Sequence, residues 1–88
     1  MKPKVRLYLS IPQFRMALPA LNAAGLPRTQ RLSLDADEIE RLWEAWKDVA
    51  PRATDHLGKF RTWDVGCDRI RKALAEARAA VVQAGKVA

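Results

Sequence analysis

The chain has 88 residues, 49% hydrophobic and 30% charged, with a net charge of +6. That length holds one core with no room for a second, and the composition excludes both a low-complexity chain and one too polar to collapse. The only cysteine, Cys67, excludes an internal disulfide, no thiols or histidines stand at metal-ligand spacing, and no run approaches the ~18 apolar residues of a membrane span.

The start is basic, but Arg6, Ser10, Pro12 and Arg15 break the apolar stretch that a signal peptide needs. A single cytoplasmic domain over residues 1–88 is therefore expected. From Lys4 to Ile11, Val5, Leu7, Leu9 and Ile11 alternate with Lys4, Arg6, Tyr8 and Ser10, and this period of two predicts a half-buried strand over 4–11. Ser10 and Gln13 have capping-box spacing around Pro12, so a helix over 12–24 follows, burying Phe14, Leu18 and Leu21. Pro19 removes a donor from this helix and predicts a kink or a split. Gly25 and Pro27 end it.

A weaker strand is predicted over 29–34, with Leu32 and Leu34 on one face and Arg31 and Ser33 on the other. Strand, helix and strand suggest a small βαβ-like unit, right-handed if its strands are parallel. The next element is the best specified. Asp35 and Glu38 form a capping box, Leu34 and Ile39 a hydrophobic staple, and Ile39, Leu42, Trp43, Trp46, Val49 and Ala50 recur at helical spacing. A helix over 36–50 results, stopped by Pro51 and carrying five of the ten acidic residues, with Asp37 one turn before Arg41 for an ion pair.

Residues 52–61 lose periodicity and are expected as a loop, too long for the joint of a helix-turn-helix. Thr62 is the expected cap of a final helix over 63–84. Trp63, Cys67, Ile70, Leu74, Ala77 and Val81 form its apolar seam, Asp68 pairs with Lys72, and Gly85 ends it. The whole predicts an α+β fold, mostly helical: a short N-terminal two-stranded β element with an intervening kinked helix, then two amphipathic helices packed together. An all-α bundle is the alternative.

Catalysis finds little support. His56 is the only imidazole, beside Asp55 in the loop, and no nucleophile elbow, phosphate-cradling glycine loop or metal motif is present. Cys67, on the apolar seam, reads as a small buried hydrophobe. The expectation is a non-enzyme without cofactor or metal.

Three groups of residues are candidates for binding. Trp43 and Trp46 lie three apart on one helix, so both cannot face the centre of a narrow stripe, and an exposed ring suits a protein contact. The stretch Lys59-Phe60-Arg61-Thr62-Trp63, continued by Arg69, Arg71 and Lys72 and joined by Arg52, combines cations for phosphates with rings for bases, at a helix start whose amides favour an anion. Core packing is the competing explanation for its aromatic residues, as it is for the tryptophans. The first 31 residues contain Lys2, Lys4, Arg6, Arg15, Arg28 and Arg31 and no acidic residue. With Arg6 and Arg31 on one face, the strands would present a basic surface to nucleic acid or an acidic partner; cations on a solvated strand edge also discourage unwanted pairing.

A small regulatory or adaptor protein that binds a protein or nucleoprotein partner is the expected function, including inhibition of a larger machine in the manner of phage anti-defence proteins. A basic nucleic-acid-binding protein is the alternative. Self-association as a homodimer is a further expectation, because so small a core supplies little net stability.

Overall fold

The computed structural model describes residues 2–50 and 57–87. Its elements run β1 (Val5–Tyr8), α1 (Ile11–Ala23), β2 (Arg31–Leu34), α2 (Ala36–Lys47) and α3 (Leu57–Val87). The fold is α+β and mostly helical, as the sequence predicts. Its two strands pair antiparallel, with Val5 opposite Leu34, Arg6 opposite Ser33, Leu7 opposite Leu32 and Tyr8 opposite Arg31. The right-handed parallel crossover therefore does not apply.

Local chemistry sets most boundaries. Ser10 Oγ accepts from the Gln13 amide, and Gln13 Oε1 accepts from the Ser10 amide at 2.9 Å, so α1 opens on a complete capping box. The helix is not split at Pro19 but runs through it to Ala23. Pro19 sits on the exposed side, where water can reach the carbonyl that loses its partner. At the far end Gly25 takes φ +69°, which lets its amide donate to Asn22 O and the Leu26 amide to Leu21 O. These are the two bonds of a Schellman cap, and the accompanying apolar pair, Leu21 and Leu26, is buried. Asp35 and Glu38 repeat the capping box at α2, with Leu34 and Ile39 both buried as the staple requires.

Four expectations about the helices need correction. Residues 57–61 are not loop but the opening of α3, and Thr62 lies inside the helix, its Oγ1 donating back to Gly58 O at 2.9 Å. A threonine hydroxyl serves either a cap or the preceding turn, and here the second use wins. Gly85 does not end the helix either: its φ is not left-handed, and α3 continues to Val87. Helix α2 ends at Lys47, with Asp48 as its C-cap, short of the expected end at Ala50, while Pro51 and the expected loop residues Arg52 to His56 lie outside the described residues. The ion pairs also differ from those the spacing suggests. Asp37 pairs with Lys2 instead of Arg41, whose Nε donates to Ala24 O, and Asp68 pairs with Arg71 instead of Lys72.

The core gathers Leu7 and Leu9, Ala17, Ala20 and Leu21 of α1, Leu32 and Leu34, Ile39, Leu42 and Trp46 of α2, and Cys67, Ile70, Ala73, Leu74 and Ala77 of α3. Burying each of the larger apolar chains contributes roughly 1.5–3 kcal/mol before chain entropy is counted. Trp46 is the largest side chain in this core and is 0% exposed. Its ring lies against Gly66: a Cβ added there would overlap Trp46 Cζ2 and stand 3.1 Å from Cε2 and Cη2. From α3, Trp63 Nε1 donates to Trp46 O at 3.1 Å, a second bond to a carbonyl that also accepts from the Val49 amide at the end of α2. The apolar seams of α2 and α3 thus face each other, and Val81 falls beyond the core at 44% exposure.

Candidate nucleic-acid interface

The two strands form a ribbon with one apolar and one polar face. Leu7, Leu32 and Leu34 point into the core, and alternation sends Arg6, Tyr8, Arg31 and Ser33 outward, all four exposed. Lys4 shares the outward parity of Arg6 and is exposed as well. Arg6 and Ser33 form one cross-strand row, Tyr8 and Arg31 the next, so the two arginines stand on a diagonal. The Arg31 guanidinium lies 6.0 Å from the centre of the Tyr8 ring, which is 50% exposed.

Hydrogen bonding follows the same logic. The Leu9 amide donates to Gln30 O at 2.9 Å, and Gln30 Nε2 returns a bond to Leu9 O at 3.1 Å. With the register, this makes Val5–Leu34 and Leu7–Leu32 the hydrogen-bonded pairs and turns the backbone groups of Arg6 and Tyr8 toward the outer edge of β1. Arg69 meets that edge, its Nη1 donating to Tyr8 O at 2.9 Å. On the outer edge of β2, the Arg31 amide donates to Thr29 Oγ1. Among the described residues no ion pair engages Lys4, Arg6, Arg31 or Arg69, so the face keeps its positive charge.

Of the residues singled out from sequence, the fold places Arg6 and Arg31 on one strand face with Tyr8, and Arg69 at the edge of β1 beside them. The remaining candidates are dispersed along α3. Lys59 and Arg61 are exposed at its beginning, and Lys59 stands about 15 Å along the helix axis from Arg69. Arg71 turns to the other side of the buried stripe, ion-paired with Asp68 at 3.0 Å and lying 5.6 Å from the centre of the Trp43 ring. Lys72 is exposed between these two sides. An anion site at Thr62 is excluded, since amides inside a helix are already bonded to the preceding turn.

The tryptophans divide. Trp46 is wholly inside and offers no surface to a partner; Trp43 is half-buried, flanked by Arg71 and by Lys47, whose Nζ is 5.9 Å from its ring centre. Phe60 is exposed and tilted against Trp63 at 5.9 Å. Tyr8 is the member of the basic face that sequence did not single out as a site. Its signal is the parity it shares with Arg6 along the strand.

The chemistry available to this face is ionic and hydrogen-bonding. The Cys67 thiol is buried, and burial pushes its pKa up, with the Trp46 indole opposing only in part, so it stays a thiol at neutral pH. Among the described residues no group of three or more His, Cys, Asp or Glu is arranged to hold a metal ion, and no helix is long and apolar enough to cross a membrane. Negative charge gathers elsewhere, on α2, where Asp37, Glu40, Glu44 and Asp48 line an open hollow with Arg41 and Lys47. No family model, curated protein or solved structure matches the chain.

Proposed function

We propose that this chain is a non-enzymatic regulatory protein that works by binding a nucleoprotein partner, and that it engages the nucleic acid through the outer face of β1 and β2. The observation carrying this reading is that Arg6 and Arg31 stand on the exposed outer face of the strands, Arg31 beside the Tyr8 ring, and that Arg69 reaches the Tyr8 carbonyl at the edge of β1, none of the three with an acidic partner among the described residues. Unpaired cations on a rigid surface release condensed counterions when they meet phosphates, and a ring among them adds stacking or a hydroxyl contact. The two tryptophans support a purely protein-binding reading less well, because Trp46 is buried and the Trp43 ring already has cations of its own chain beside it.

Fluorescence anisotropy with labelled single-stranded and duplex oligonucleotides tests this reading. Affinity is expected to fall steeply between ~50 and ~200 mM salt, and Arg6→Glu or Arg31→Glu to weaken it by about ten-fold or more, each with a shallower salt slope. Lys59→Glu, on the other end of the molecule's basic residues, is expected to have the smaller effect. Absence of binding to every nucleic acid, or equal weakening by all three substitutions, would refute the assignment of this face.

A further inference from the structure

The geometry points to double-stranded DNA, with the β1–β2 ribbon entering the major groove and Arg6 and Arg31 reading guanine edges; we infer this on the basis of the nucleic-acid reading above. A two-stranded antiparallel ribbon is one of the two elements that the B-form major groove, about 12 Å wide, admits, since paired strands are only about 4.8 Å apart. Here the ribbon is the outermost layer of its side of the fold: its inner residues are buried, and its outer row consists of side chains that carry donors, with Ser33 and Tyr8 adding hydroxyls.

Arginine is the side chain best matched to the paired O6 and N7 acceptors that guanine shows in this groove. The diagonal placement of Arg6 and Arg31 separates their Cα atoms by about 7–8 Å, or about two base-pair steps at 3.4 Å each, so one ribbon addresses two nearby base pairs. The Tyr8 ring lies beside the Arg31 guanidinium, 6.0 Å from ring centre to Cζ, so the aromatic ring is part of the same reading surface. Lys4, on the same parity, and Arg69, at the β1 edge, supply charge for the phosphates that wall the groove.

Other partners fit this face less well. A-form RNA has a major groove too narrow and deep for such an element, and single strands are usually held by several aromatic platforms, where this face has one. A protein partner would want an apolar anchor at the centre of the contact, and here the centre is occupied by guanidinium groups.

The test begins with selection from a randomised duplex DNA pool using the full chain. A short enriched sequence is expected to contain two guanines about two steps apart. Replacing them with 7-deazaguanine removes the N7 acceptor without touching the protein, and is expected to weaken binding about ten-fold or more. Arg6→Ala and Arg31→Ala are each expected to relax the preference at one of the two positions, and an RNA duplex of the same sequence to bind more weakly. If duplex DNA binds but no sequence is enriched, if the deaza substitution has no effect, or if the RNA duplex binds equally well, groove reading is wrong while the nucleic-acid reading stands. If no nucleic acid binds at all, both fall.

Discussion

Glycines 66 and 85 occupy the same helix and have opposite expected responses to an added methyl group. Gly66 lies against the buried Trp46 ring, and a side chain there meets Cζ2, Cε2 and Cη2 with no room to yield. Gly66→Ala gains up to ~1 kcal/mol of helix propensity but incurs an overpacking cost of about 1–3 kcal/mol, so a net loss on the order of 1 kcal/mol is expected in urea unfolding. Gly85 has nothing within 4 Å of its Cβ position, so Gly85→Ala is expected to be neutral or mildly stabilising. A stabilised Gly66→Ala variant would show that the Trp46 ring moves aside, contrary to the packing described. Asp35 offers a pH test. The bond from the Glu38 amide to its carboxylate is the main reason its pKa lies below the ordinary 3.8, with burial opposing and Lys2 assisting. A depressed folded value means that its stabilisation is present above the unfolded pKa and disappears as pH falls through the folded one. The difference in unfolding midpoint between the native protein and Asp35→Ala should therefore be full at neutral pH and shrink in acid below about pH 4. A difference that stays constant through this range would mean the carboxylate charge plays no part in the cap.

At the scale of elements, α3 is the longest and the least uniform. Its 31 residues span about 46 Å at 1.5 Å each, most of the 51 Å length of the molecule. Among the described residues its buried positions all fall between Gly66 and Ala77, and the seam then runs out into solvent at Val81, 44% exposed, next to Val82 at 59%. Two substitutions on this helix should separate seam from overhang. Ile70→Ala empties a fully buried site and is expected to cost about 2–5 kcal/mol of unfolding free energy, whereas Val82→Lys should change it by less than ~0.5 kcal/mol, both read from urea denaturation. A large loss from Val82→Lys would mean that the end of α3 is covered in solution. Sequence patterning finds such seams but does not say where the core stops, because a heptad continues whether or not a partner lies opposite it. It misplaced both ends of α3 for a related reason. Threonine and glycine serve at helix termini and inside helices alike, and the neighbours decide between the uses.

For the molecule as a whole, the separation of charge was legible early. The first 31 residues contain six cations and no acidic residue, and the acidic groups of α2 follow directly. Ion pairs then tie α2 to both ends of the chain, Asp37 to Lys2 of the N-terminal segment and Glu40 to Arg78 of α3, without neutralising the ribbon. What the amino-acid order determined by itself is local: the two capping boxes, the glycine that closes α1, the strand alternation, and the faces of α2 and α3 that are apolar. Each depends on residues within a few positions of one another, so spacing alone reveals it. Tertiary structure decided which of the two tryptophans of α2 is inside, which arginine of α3 reaches the edge of β1, and that the strands run antiparallel. Those outcomes depend on contacts between distant segments, such as Gly66 against Trp46 and Arg69 against Tyr8 O, for which the two partners carry no mark of each other in the linear chain.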